Sequence, residues 1–181
     1  MNIKITLDAD DYLTYHLYRA SKSPTLKKRR LIHWFSVPLA YIVTGIAFVY
    51  LNGAEIVRLI FFVTAGVWIF VYPFYSKWAI RRFLIRQVND KFADILGKEG
   101  SLKIMEKKIV AKSHDASLDI PYTEIKDIIE LPQHILVGLN SGPSLILPRQ
   151  KVPEDALSAA IKEISRNSGI AVTDETLWVW R

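Results

Sequence analysis

One stretch constrains this chain more than any other: four cations lead directly into an uncharged segment, KKRRLIHWFSVPLAYIVTGIAFVY, residues 27–50. As a helix rising 1.5 Å per residue, residues 31–50 would reach roughly 30 Å, the thickness of a bilayer's hydrocarbon core. A second apolar segment, residues 56–75, follows after LNGAE, whose Asn52-Gly53 pair is typical of a turn. Because so short a connection makes two helices antiparallel neighbours, the pattern predicts a transmembrane helical hairpin over residues 31–76.

The apolar segments admit two other interpretations. A signal peptide does not fit, since the first segment begins only at residue 31, is too long for an h-region and lacks a small-residue cleavage pattern. Two core helices of a soluble protein would have to be buried on all sides within a chain of 181 residues, the size of one ordinary domain. The membrane hairpin is therefore the expected structure.

The cations around the hairpin predict its orientation. Residues 1–100 carry 14 Lys and Arg against 7 Asp and Glu, whereas residues 101–181 carry 10 against 11. The surplus lies before the first span and after the second, so the positive-inside rule places both termini in the cytoplasm. A nucleic-acid partner is not expected, because the basic surplus is not on the folded domain. The predicted membrane-orienting residues are Lys27, Lys28, Arg29, Arg30, Lys77, Arg81, Arg82 and Arg86.

The leader, residues 1–30, reads as a strand followed by a helix. Ile3, Ile5 and Leu7 alternate as in a short strand, and Asp8 is a suitable N-cap for a helix with Asp10 and Asp11 in its first turn. The three aspartates could also be taken for a metal site, but a capped helix start explains them without an ion. We expect no metal.

The part after the second span predicts an amphipathic juxtamembrane helix over residues 77–100, ended by Gly97 and Gly100. Six short β-branched segments follow and predict an antiparallel meander: SLKIM, KIVAKS, SLDIPY, IKDIIEL, HILVGL and SLILP. A helix opens at Pro153 and ends at Gly169. The expected fold class is α+β, with a small cytoplasmic antiparallel sheet over residues 101–168 capped by a C-terminal helix, the outline of a pleckstrin-homology-like (PH-like) domain.

The tail, residues 169–181, places Trp178 and Trp180 on one side of an extended segment. We favour an extra strand on the sheet edge; a docking peptide for the membrane surface or a partner is the alternative.

No pattern in the chain predicts catalysis. It has no cysteine, which removes thiolate chemistry and cysteine-based zinc sites. His16, His33, His114 and His134 lack the spacing of metal ligands, so loop or interfacial positions are expected for them. There is neither a G-x-S-x-G motif nor a phosphate-binding loop. We expect no enzyme and no cofactor.

The chain resembles the YcxB-like family of bacterial membrane proteins. The residues that carry the resemblance are Pro121, Tyr122, Ile125, Leu147, Pro148 and Arg149, together with the leader's aspartate-tyrosine pair and Ser23-Pro24 before the basic run. The family commonly has Trp where Tyr122 stands, and the double-Trp tail lies outside its pattern. The resemblance implies a fold and a bacterial inner-membrane location, but no mechanism.

Three functions remain open from the sequence. The first is a membrane protein whose PH-like domain binds a protein partner, or lipid headgroups, beside the bilayer. The second is an immunity protein that neutralises a secreted bacterial toxin, whether membrane-acting or cytoplasmic. A channel or transporter subunit ranks last, since the spans lack interior acids or amides and would have to assemble as a homo-oligomer, which the sequence leaves open. The candidate partner contacts are Arg58, Tyr122, Arg149, Trp178 and Trp180.

Overall fold

The computed structural model describes residues 2–51, 54–112, 117–142 and 144–180. The predicted turn at Asn52-Gly53 lies outside these residues, as do His114-Asp115 and Pro143. The chain divides into two compact units, Met1–His16 with Ile85–Trp180 (the β-domain) and Leu17–Leu84 (the helical unit). As expected, the fold is α+β, with two long apolar helices followed by a small β-domain and a C-terminal helix.

The first sheet of the β-domain contains strands from both sides of the apolar helices. It is built from β1 (Asn2–Thr6), β2 (Glu99–Ile104), β3 (Lys108–Lys112) and β4 (Ser117–Pro121) in the order β1-β2-β3-β4, all antiparallel. Ile3 pairs with Leu102, and both side chains are buried. The N-terminal strand therefore joins the same sheet as the strands that follow the helices, a pairing the sequence left open.

The second sheet contains β5 (Ile125–Glu130), β6 (His134–Leu139), β7 (Ser144–Pro148) and β8 (Val172–Asp174) in the order β7-β6-β5-β8. The six strands β2 to β7 coincide with the six predicted segments. They form two sheets where one was expected, and β8 lies parallel to β5, so the domain is not wholly antiparallel. Gly138 on β6 lies opposite Asp127 on β5, and a Cβ on Gly138 would lie 2.1 Å from Asp127 Oδ1. This close approach explains why a glycine stands at that position.

Helix α4 (Glu154–Ser168) covers the core of the β-domain as predicted. Leu157, Ala160 and Ile164 are buried on one face, at the spacing of successive helical turns. Gly169 ends the helix in the left-handed conformation at φ 72°, and its N–H donates to Ser165 O at 2.9 Å. The core that this face joins includes Ile109, Ile128, Val137 and Leu147.

The leader folds as its sequence indicates. Helix α1 runs from Ala9 to Lys22, and Asp8 O accepts hydrogen bonds from the N–H groups of Asp11 and Tyr12. In return the Asp11 side chain accepts from the Asp8 N–H at 2.8 Å, which satisfies a backbone donor at the helix start.

The helical unit contains α2 (Pro24–Tyr50) and most of α3 (Glu55–Phe92). Both are long and apolar enough to cross a membrane, judged by length and composition. Only 11% and 6% of their most apolar 18-residue stretches are buried, unlike core helices of a soluble protein. Helix α3 ends at Phe92, earlier than the predicted Gly97, and Gly100 lies within β2, where it pairs with Ile5 of β1.

Polar contacts and one glycine fix the antiparallel register of α2 and α3. The Trp34 Nε1–H donates to Ile69 O at 2.9 Å. Pro73, four residues later, has no N–H to donate to that carbonyl, and the indole supplies a donor instead. Gly45 lies against Phe61 and Phe62, so close that a Cβ there would be 3.2 Å from the Phe62 ring.

Candidate functional site

A buried charge cluster joins the leader to the strands of the β-domain. Asp11 on α1 is 6% exposed and His134, the first residue of β6, is 5% exposed. His134 Nε2 lies 2.7 Å from Asp11 Oδ1, while Lys151 Nζ donates to Asp11 Oδ2 at 2.7 Å and to Asp8 Oδ2 at 2.6 Å. The expectation that His134 lies in a loop or at the membrane interface was wrong. It is the first residue of β6 and its side chain is buried in the β-domain.

The electrostatics of this cluster favour a charged Asp11–Lys151 pair. Burial alone would raise the pKa of the Asp11 carboxyl, but hydrogen bonds from Lys151, the Asp8 amide and His134 outweigh it and hold the pKa below its ordinary value. Desolvation alone would lower the pKa of Lys151, yet its bonds to Asp11 and Asp8 raise it. Each group therefore keeps its charge across the neutral range.

The cluster's chemistry suits a structural tie. The Asp11 carboxylate is bound by the Asp8 N–H, by His134 Nε2 and by Lys151 Nζ. Lys151 also binds the carboxylate of Asp8. His134 Nδ1 is buried and has no hydrogen-bond partner among the described residues. No group of three or more histidines, aspartates or glutamates within the described ranges is arranged to hold a metal ion.

A second feature of the β-domain is an apolar cavity of about 270 Å³. It is bordered by the first sheet on one side and by Ser144, Leu145, Ile146 and Leu147 of β7 on the other. Successive residues of a strand point to opposite faces, so four consecutive lining residues mean that the edge of β7 itself borders the cavity. Two lysines, Lys98 and Lys112, contribute to the lining.

Three of the predicted contact residues are engaged within the fold. Tyr122 is buried and its hydroxyl donates to Met105 O at 2.7 Å, so it is a core residue rather than a surface contact. Arg149 forms an ion pair with Glu130. Arg58 pairs with Glu55 at 3.3 Å, one helical turn earlier.

The other two predicted contacts, Trp178 and Trp180, are partly buried and lie outside any strand. The tail does add an edge strand, but only at β8, before the tryptophans. Thr176 N and Oγ1 both donate to Asp174 Oδ1, which forms a turn after that strand. Beyond it, Leu177 is 93% exposed and Val179 is 63% exposed. The most exposed apolar side chains of the tail are therefore aliphatic ones that the sequence had not singled out.

The predicted membrane-orienting cations lie on α2 and α3. Lys77 Nζ is 5.8 Å from the centre of the Phe74 ring, and the Arg82 guanidinium is 5.0 Å from that of Trp78. Both distances are within the range of about 6 Å in which a cation is attracted to the face of an aromatic ring.

Comparison with protein-family models gives no match, and comparison with curated proteins gives no match either.

Proposed function

We propose that this chain is a non-enzymatic bacterial inner-membrane protein, similar to the YcxB-like family, whose cytoplasmic β-domain binds a protein partner beside the bilayer. The observation that carries the proposal is the apolar cavity along the edge of β7. An apolar pocket with a few polar groups is the usual form of a binding site, and its lining includes no acid–base pair that would serve catalysis.

The architecture supports a PH-like domain. The domain has two four-stranded sheets, and helix α4 follows β7 and packs on the core that the sheets share. Strand β8 comes after α4 and joins the second sheet beside β5. Such a domain presents its strand edges and loops for recognition, and its function depends on those surfaces rather than on the fold.

Membrane insertion is supported by the pairing of β1 with β2. Paired strands must lie on the same side of a bilayer, so an even number of crossings has to separate them. The two apolar helices α2 and α3, which lie between these strands in the chain, supply two. The cations at Lys27–Arg30 and beyond Tyr75 favour the cytoplasm as that side.

The topology can be tested with single cysteines, because the chain has none. Ala54→Cys, in the short connection between the helices, should react with a membrane-impermeant maleimide on intact cells. Ser158→Cys, exposed on α4, should react only after lysis. Labelling of both variants on intact cells, or of neither, would contradict the proposed hairpin.

The cavity favours an extended peptide segment as the partner's contact. An edge strand offers unpaired backbone groups to an added strand, and an apolar side chain of that strand can enter the neighbouring cavity. Lys98 and Lys112 would favour an acidic residue nearby. A lipid headgroup is less favoured, because residues 101–181 have one more acid than base.

The partner proposal is tested by site-specific photo-crosslinking of the full chain in cells. A crosslinking residue at Leu118, which lines the cavity, should give one discrete adduct, and one at Ser158 should give none. Lys98→Glu combined with Lys112→Glu should weaken the adduct. The same adducts from both positions would mean random proximity in the membrane and would contradict a site at β7.

Toxin immunity is the second candidate function, and the exposed Leu177 and Val179 of the tail favour it. Exposed aliphatic side chains next to partly buried tryptophans give a small apolar surface for a dedicated partner. Cells that express the product of the neighbouring gene, as the candidate toxin, should then survive only if they also express this chain. The substitution Leu177→Asp should abolish that protection. Equal survival without the chain would exclude immunity towards that product.

A further inference from the structure

The helical unit contains a cleft of about 280 Å³ between α2 and α3, with Lys27, Arg30, Trp34, Tyr72 and Ser76 in its lining. Its two walls are connected by a polar bridge. Arg30 Nη2 donates to Ser76 Oγ at 3.2 Å, and this buried hydroxyl in turn donates to Pro73 O at 3.1 Å. The cleft is therefore preformed by contacts between the helices.

The charge of the cleft has no counterpart within its unit. Residues 17–84 contain ten Lys and Arg but one acid, Glu55, which is the first residue of α3 and pairs with Arg58. Neither Lys27 nor Arg30 forms an ion pair among the described residues. Because uncompensated cations at a bilayer surface attract anionic lipid, the missing negative charge is expected from outside the chain.

The side chains around the cleft suit a phosphate at the level of the headgroups. The Arg30 guanidinium uses one donor on Ser76 and keeps others for phosphate oxygens, and Lys27 adds a charge one helical turn earlier. Trp34 and Tyr72 are residue types that favour the interface. Leu31 is exposed on the same helix face and would lie beside the start of an acyl chain.

We propose that this cleft binds the phosphate of an anionic phospholipid from the cytoplasmic leaflet, with Arg30 and Lys27 as its cationic ligands. The site rests on the proposed membrane insertion of the hairpin and is independent of the partner at β7. Its occupant is a lipid rather than a soluble phosphate, since Leu31 and the neighbouring apolar helix faces would contact the acyl chains.

The test is native mass spectrometry of the full chain in mild detergent, titrated with phosphatidylglycerol and, separately, phosphatidylcholine. The native chain should retain phosphatidylglycerol on the order of tenfold more tightly, given what each nearby cation contributes. Arg30→Gln should remove most of this preference. Arg29→Gln is the matched control, because it removes the same charge at the adjacent position but does not line the cleft.

Equal losses in Arg30→Gln and Arg29→Gln would mean diffuse attraction by the basic run and would overturn the site, as would no loss in either. Competition of the bound lipid by inorganic phosphate at millimolar concentration would also overturn it, because the ligand would then be soluble phosphate.

Flotation of the chain with liposomes separates this failure from that of membrane insertion. A chain that floats without lipid preference contradicts only the cleft, whereas one that does not float contradicts both proposals. Unchanged helical circular dichroism of both variants shows that each has folded.

Discussion

Replacing Asp11 by alanine should destabilise the β-domain more than any other single change at the start of α1. The carboxylate accepts hydrogen bonds from His134 Nε2 at 2.7 Å, Lys151 Nζ at 2.7 Å and Asp8 N at 2.8 Å. Removing it leaves the buried His134 without its partner, which costs about 1–3 kcal/mol. The lost bond at the helix start adds about 1 kcal/mol.

Lys151 limits the loss. Its side chain is 30% exposed and keeps Asp8 at 2.6 Å, so it is not left as an isolated buried charge. The expected change therefore lies near 2–4 kcal/mol, at or below the 3–5 kcal/mol typical of breaking a fully buried pair. Asp10→Ala is the matched control: it removes the same charge from the same helical turn at an exposed position and should cost about 1 kcal/mol or less.

Hydrogen exchange of the full chain in detergent, followed by mass spectrometry, measures this difference. Since about 1.4 kcal/mol corresponds to a factor of ten, the β6 amides should exchange roughly 30-fold to 1,000-fold faster in Asp11→Ala. If Asp11→Ala exchanges no faster than Asp10→Ala, the three hydrogen bonds contribute no net stability and the cluster is not a structural tie.

The pH dependence of the same cluster has a defined sign. The pKa of Asp11 is lowered in the folded state, so its contribution is present above the ordinary value of 3.8 and is lost as pH falls through the folded value. The pKa of Lys151 is raised, so its contribution is present below 10.5 and is lost as pH rises through the folded value. A double-mutant cycle of Asp11→Asn and Lys151→Met should give a constant coupling energy between these limits. A coupling that vanishes near neutrality would contradict the charged pair.

Three further substitutions test the packing. Gly138→Ala should cost about 1–3 kcal/mol of stability, measured by hydrogen exchange, because its Cβ would meet the Asp127 carboxylate. Adding Asp127→Ala should restore most of the loss, and no recovery in that double variant would contradict the proposed clash. Gly169→Ala should cost about 1 kcal/mol, since alanine is strained at φ 72°, and an unchanged exchange rate in α4 would refute it. Trp34→Phe should lower the melting temperature of the helical unit in detergent, because the freed carbonyl of Ile69 loses its donor, and an unchanged melt would show that another donor replaces the indole.

Local patterns were sufficient to predict most of the secondary structure. The six strand segments, the cap at Asp8, the buried stripe of α4 and the end at Gly169 each depend on residues within a few positions of one another. Alternation, capping residues and positive-φ glycines express those short-range constraints directly in the sequence. The division into two sheets was missed, because no local pattern records which strands pair.

The charge cluster could not be predicted for the same reason. Asp11 lies 123 residues from His134 and 140 from Lys151 in the chain. Each residue has an ordinary local explanation: Asp11 begins a helix, His134 follows a turn and Lys151 precedes the last helix. The pairing of β1 with β2 brings the leader to the domain, and no local pattern in the sequence specifies that pairing.

That pairing makes the segment before the apolar helices an integral part of the β-domain. A fragment that begins at Lys98 loses β1, exposes the buried Leu102 and leaves both His134 and Lys151 without Asp11. We expect such a fragment to exchange its amides like an unfolded chain, because a strand and a buried carboxylate are removed together. Fusing residues 2–16 to its N-terminus through a flexible linker should restore protection. A fragment that is protected without them would mean that the seven strands β2 to β8 and α4 hold the core on their own, and that the leader is only attached to it.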